Sequence, residues 1–252
     1  MRPLLLAITA LMLGLHATVG IGGELRIFAV GSVGPILKAL APEFERATGN
    51  KVEYFASTSG ATLEKIRKEQ GDVGIISTPM LEELEKTGGI VRGSDTVFAK
   101  SSAGVAVRKG TKLDVSTVGA LRTAILRADS IALVDPARGS TLGTRMQDFA
   151  DKQGVGNELR KKAKLYSGGL TVGQAVAKGE ADFGVGFIPE LVAIPNIEVA
   201  GPLPGEAEYS SLATAVILSG TKNPDAGKKF VEFLLSPAAQ SVIRANGMEG
   251  VK

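Results

Sequence analysis

Two hydrophobic periods alternate along nearly the whole chain. Leu25-Arg26-Ile27-Phe28-Ala29-Val30 is β-prone and bounded by Gly31. After the turn Gly31-Ser32-Val33-Gly34, Pro35 stands at a first helical position, which tolerates its missing N–H. Ile36, Leu37, Leu40, Phe44 and Ala47 then recur at helical spacing, and Pro42 is expected to kink or split that helix. The pattern repeats at once: Val52–Ala56 reads as a strand, Ser57-Thr58-Ser59-Gly60 as a turn, and a second helix carries Leu63 and Ile66. Asp72–Ser77 reads as a buried third strand, Met80–Lys86 as a short helix, and Thr96–Lys100 and Ala103–Val107 as two further strands.

A second α/β unit starts over near Asp114. Val118, Leu121 and Ile125 mark a helix, and Ser130–Val134 a strand. That strand enters Asp135-Pro136-Ala137-Arg138-Gly139-Ser140-Thr141, and Leu142, Met146 and Phe149 share one face of the next helix. Leu165–Ser167 and Asp182–Phe187 read as strands around a helix over Thr171–Lys178. Ala213–Leu218 is an apolar strand, and Pro224–Leu235 an amphipathic helix stopped by Ser236-Pro237. A last helix runs through Gln240–Ile243. Alternating strands and helices of this kind predict mostly parallel sheets covered on both faces.

The repeated strand–Gly/Ser–helix junction carries the chemistry. Each places a hydroxyl and free backbone N–H groups at a helix start, where an anion is favoured. In an open α/β sheet that edge is also where ligands bind. The alternative is that Ser32 and Ser59 only cap their helices.

Composition narrows the field. Hydrophobic residues make up 44% and charged residues 22%, enough for a sizeable core. The net charge of +3 comes from scattered Lys and Arg, and with 5% aromatics nothing points to nucleic acid. Arg160-Lys161-Lys162 with Lys164 reads as one solvated helix face. There is no Cys, and the only His is His16. Met1-Arg2-Pro3, the apolar run Leu4–Leu15 and the small residues that follow read as a signal peptide over about residues 1–20, with a retained anchor as the alternative. A mature chain without His or Cys excludes Ser-His-Asp and Cys-His catalysis and the usual zinc and copper ligands. An enzyme would need carboxylates, Lys or Tyr. On that basis the chain is expected not to be an enzyme, and to need no metal or cofactor.

Several segments together carry a resemblance: Leu25–Ser32, Ser57–Ile66, Gly104-Val105-Ala106-Val107-Arg108-Lys109-Gly110, Asp135-Pro136 with Gly139-Ser140-Thr141, Val199–Pro204, and NPDAGKKFVEFLLSPAAQ near the end. They are similar to the molybdate-binding-like branch of the type II periplasmic solute-binding proteins, the receptors of ABC importers. The resemblance implies an α/β fold of two lobes, each a mostly parallel sheet flanked by helices, joined by two crossover strands. Residues 24–104 and 207–252 would form one lobe and 105–206 the other, with the ligand between them. It further implies a monomeric periplasmic receptor that hands a small anion to ABC permease subunits. Molybdate or tungstate comes first, and an organic carboxylate, for uptake or for sensing by a membrane receptor, is the alternative. Carried over residue by residue, the ligand site comprises Ser32, Ser59, Gly60, Ala137, Arg138, Gly139, Ser140, Thr141, Leu170, Val172 and Phe187. Phe187 departs from the tyrosine that molybdate receptors of this kind often carry, and Arg138 and Arg145 could instead pair with a carboxylate.

Overall fold

Strand β1 (Glu24–Val30) is buried along most of its length, as a strand covered on both faces should be. The computed structural model describes residues 23–251, so the expected signal peptide lies outside the described residues. β1 leads through a 3-10 turn (Gly31–Val33) into α1 (Gly34–Thr48). Pro42 does not split that helix. Both Pro42 and Lys38, whose carbonyl the proline leaves without an N–H donor, lie on the exposed face where water can replace the bond. Then follow β2 (Lys51–Ser57), α2 (Ser59–Lys68), β3 (Val73–Ile76) and α3 (Thr78–Thr87).

The next strand, β4 (Thr96–Arg108), is one continuous element where the sequence pattern suggested two. Ser101 and Ser102 interrupt the hydrophobic run, yet they stay in the ladder opposite Ser211 and Ser210. After it come α4 (Val118–Arg127), β5 (Ile131–Val134), a 3-10 turn (Pro136–Arg138), α5 (Thr141–Lys152) and α6 (Gly156–Lys162). β6 (Ala163–Tyr166), α7 (Gly169–Ala177), β7 (Phe183–Phe187), α8 (Ile188–Val192) and β8 (Ile197–Pro202) complete the middle of the chain. The tail holds β9 (Ser210–Ile217), α9 (Pro224–Leu234), α10 (Pro237–Ala245) and β10 (Glu249–Gly250).

The class is α/β, with strand order β2-β1-β3-β9-β4-β7-β5-β6. Parallel pairs stand towards the two ends, β2 and β3 beside β1, and β6 and β7 beside β5. In the middle β9 and β4 pair antiparallel, and β4 also takes β7, β8 and β10 antiparallel. β4 therefore serves two sheet sections, its first half against β9 and its second against β7 and β8.

Each section has its own apolar filling. The first packs Ile27, Leu40, Ile75 and Phe98 against the C-terminal helices. There Phe44 meets Phe230 edge-on at 5.0 Å and Phe233 at 5.5 Å. The second has one cluster around Leu121, Phe149 and Phe183 and another around Val172, Val176 and Leu191. The buried carboxylate of Asp72 fastens the tail to the first section. It accepts from the Arg26 N–H (2.9 Å), the Thr221 hydroxyl (2.6 Å) and the Asn223 N–H (3.3 Å). Burial alone would raise its pKa, but these donors hold it below the usual value.

Because Phe44 joins α1 to α9 with no exposed surface, Phe44→Ala is expected to cost about 3–5 kcal/mol. Urea unfolding should show a lower midpoint with an unchanged slope.

Candidate functional site

The carboxyl ends of β1, β2, β5 and β7 converge on one cavity of about 40 Å³. Its first wall is Val30-Gly31-Ser32 and Ser57-Thr58-Ser59. Its second is Val134, Ser140-Thr141-Leu142, Gly168-Gly169, Phe187 and Glu190. Tyr209, just before the strand that returns beside β4, and Ser211 within it close the remaining side. No Lys or Arg is among these residues. The lining is one of hydroxyls, backbone N–H groups and a single carboxyl.

Helix geometry frees two of the hydroxyls. The turn after β1 and α1 both start without a side-chain cap, so Ser32, although buried, caps nothing. In α2 the cap is Thr58, whose oxygen accepts from the Ala61 N–H, and Ser59 is the first helical residue. Ser140 is spent differently, since it caps α5 by accepting from the Gly143 N–H at 3.0 Å. Ser32 and Ser59 are thus left for whatever fills the cavity.

Gly60, Arg138 and Gly139 lie at the rim, where they join the two walls. The Thr58 hydroxyl donates to the Arg138 carbonyl at 2.6 Å, and the Gly60 N–H donates to the Gly139 carbonyl at 3.2 Å. A Cβ on Gly139 would sit 2.6 Å from the Gly60 Cα, and Gly139 has φ +73°, so this approach needs glycine twice over. The expected contacts of Ala137, Arg138, Leu170 and Val172 with the cavity are not seen. Ala137 gives its N–H to Asp135 and points outward. The Arg138 side chain is exposed, and only its backbone takes part. Leu170 is surface-exposed, whereas Val172 is sealed in the core with its N–H on the Gly168 carbonyl. Arg145 lies over the Tyr209 ring at 4.4 Å and lines a separate surface depression rather than the cavity.

Two residues the sequence reading left out matter most. Glu190, 6% exposed, accepts from the Gly169 N–H at 3.0 Å and so occupies the start of α7. Its carboxyl fits because Gly31 and Gly169 have no side chains, since a Cβ on either would come within 2.9 Å of it. Burial pushes its pKa up to about 7, opposed by the Gly169 and Leu170 N–H groups. Tyr209 stacks on Phe187 at 5.7 Å. Burial raises the pKa of its phenol, with Arg145 and Thr141 pulling the other way. An acidic residue inside the otherwise apolar run GVGFIPELVAIP was a readable signal for Glu190. Nothing local distinguished Tyr209. Among the described residues, no three His, Cys, Asp or Glu side chains stand together as a metal site.

Residues 25–249 match the family model described as bacterial extracellular solute-binding protein. An aconitate isomerase from a Pseudomonas species is 29% identical over 255 residues, covering 98% of this chain and 94% of that protein. The molybdate-binding protein ModA of Azotobacter vinelandii is 26% identical over 258 residues, 95% of each. The solved periplasmic molybdate-binding protein of that organism superposes with a TM-score of 0.76 at 19% identity, covering 91% of this chain and all of that one. These matches support the expected fold class. The likeness to an isomerase over nearly the whole chain corrects the expectation that catalysis is excluded. That expectation had counted missing His and Cys, not a buried carboxyl. No helix among the described residues is long and apolar enough to cross a membrane.

Two expectations follow. A carboxyl whose pKa rises from 4.5 to about 7 on folding stabilises the fold at low pH, and that contribution is lost as pH climbs through 7. Glu190→Gln should therefore flatten the stability profile between about pH 4.5 and 7 and, at pH 8, leave the protein more stable than wild type by up to about 3 kcal/mol, as read by thermal melts across pH. Gly139→Ala should break the rim contact and hold the walls apart, giving a larger radius of gyration in solution scattering than wild type.

Proposed function

The chain belongs to the bacterial extracellular solute-binding proteins, and on that premise we propose that its cleft captures a small organic carboxylate and that Glu190 moves a proton on it. The observation that carries this reading is a buried carboxyl in the cleft wall with a pKa of about 7. Such a group is populated in both forms near neutrality, the condition under which a general base works best. A fixed anion with no proton to exchange gives it nothing to do.

The reaction class is an allylic proton shift. In an unsaturated carboxylate with a CH₂ beside its double bond, ionised Glu190 takes one proton from that carbon. The electron pair spreads through the double bond into a carboxylate. Protonated Glu190 then returns the proton to the far carbon, which moves the double bond and leaves the atom count unchanged. The charge that develops is met by the Ser32 and Ser59 hydroxyls and by N–H groups at the helix starts, donors already fixed before reaction. The Pseudomonas relative, named for isomerising aconitate, supports this choice of substrate class. With room for only a few atoms in the cavity, the remainder of a tricarboxylate requires the walls to part. We take the moving bodies to be residues 24–104 with 207–252 and residues 105–206, hinged where β4 and the segment before β9 pass between them.

A second reading is favoured by the cation-free lining. Hydroxyl and N–H donors without Lys or Arg suit a tetrahedral oxyanion carried to an ABC permease, and the molybdate-binding relative is in line with that. Phe187 offers such an anion no hydrogen bond.

The test is proton NMR of cis- and trans-aconitate with the protein in D₂O. Double-bond migration with deuterium uptake is expected, faster as pH rises through about 7 and abolished in Glu190→Gln with binding retained. Calorimetric binding of molybdate and tungstate alone, with no exchange in either tricarboxylate, would overturn the proposal in favour of the second reading.

A further inference from the structure

The cleft's missing hydroxyl has a replacement in the segment that enters β9. Phe187 ends β7 at the cavity with a ring that donates nothing, and Tyr209 stacks on it at 5.7 Å with a 46° tilt. The Tyr209 backbone is pinned at the passage between the sheet sections, since its carbonyl accepts from the Ala103 N–H at 2.8 Å. Behind the ring, Arg145 lies 4.4 Å from the centroid, where a guanidinium is attracted to the aromatic face. Arg145 faces a separate surface depression lined also by Asp148, Glu206 and Glu208. Arg145 is not among the cavity-lining residues, yet it acts on the Tyr209 phenol, whose pKa it pulls down against burial.

We infer that Tyr209 donates its phenolic hydrogen to an anionic oxygen of the bound ligand, and that Arg145 is its positioning residue, holding the ring in place and making the phenol a stronger donor. This rests on the reading of the cleft as an anion site and adds the residue that distinguishes its ligand. Burial keeps the phenol neutral, so it can donate where a phenolate would repel. Glu190 and Tyr209 both line the cavity. Glu190 thus meets the C–H that reacts while Tyr209 meets a carboxylate oxygen. A donor standing in the segment before β9 also ties occupancy to the hinge, because the ligand then touches both walls and the segment between them.

The experiment is calorimetry with the same tricarboxylates and with molybdate, on wild type, Tyr209→Phe, Arg145→Gln, Arg145→Lys and the Tyr209→Phe/Arg145→Gln double variant. Loss of one donor to an anion should weaken tricarboxylate binding by roughly tenfold to a hundredfold in Tyr209→Phe. Arg145→Gln should weaken it less, Arg145→Lys should restore part of the loss, and the double variant should bind no worse than Tyr209→Phe. Ultraviolet titration, taken as the difference from Tyr209→Phe, should show the phenol ionising at still higher pH in Arg145→Gln, a shift that a merely structural arginine would not produce. Wild-type binding that is unchanged in a folded Tyr209→Phe would overturn the inference alone. Additive losses in the double variant would overturn the role of Arg145. Wild type that binds none of the probes would overturn the reading of the cleft and this inference together.

Discussion

Helix starts gathered at one sheet edge impose a requirement that organises this molecule. The first N–H groups of a helix have no partner within it, and burying them unsatisfied is costly. Here the starts of α2, α5 and α7 meet around one small cavity, and each is answered by a different device. Thr58 and the Gly139 carbonyl serve α2, Ser140 serves α5, and the Glu190 carboxyl serves α7. Thr58 caps α2 and so leaves Ser59 to the cavity, while Ser32 is free because the turn after β1 and α1 both start without a side-chain cap. The wealth of donors in the cleft follows from how its helices are capped.

Glu190 is the uneasy member of this arrangement. Two N–H groups favour its ionised form, but burial outweighs them and leaves the proton loosely held near neutral pH. Gly31 comes from one wall and Gly169 from the other, and both are needed to give the carboxyl room. Its proton affinity therefore depends on the same closeness of the walls that the Thr58–Arg138 and Gly60–Gly139 bonds secure at the rim. Closure and proton chemistry share one geometry.

The other side of the cavity belongs to chain segments that pass between the sheet sections. β4 runs through both, and Tyr209 and Ser211 stand where the chain crosses back. Arg145, lying over the Tyr209 ring, brings a positive charge to bear on that side of the site.

By itself the sequence determined the α/β class, most strands and helices though not β8, β10 or α8, the family likeness, and the junctions at Ser32, Ser59 and Ser140–Thr141. All of these are written in local periodicity and in Gly, Ser and Pro at helix starts, which act over a few residues. The tertiary structure alone decided which hydroxyls cap helices and which face the cavity. It also removed Ala137, Arg138, Leu170 and Val172 from the lining and brought in Glu190 and Tyr209. Those outcomes depend on segments far apart in the chain, such as Gly31 and Gly169 closing on Glu190, or Tyr209 reaching Phe187. Burial is what turns an unremarkable glutamate in IPEL into a carboxyl that titrates near neutrality, and burial is a property of the assembled walls.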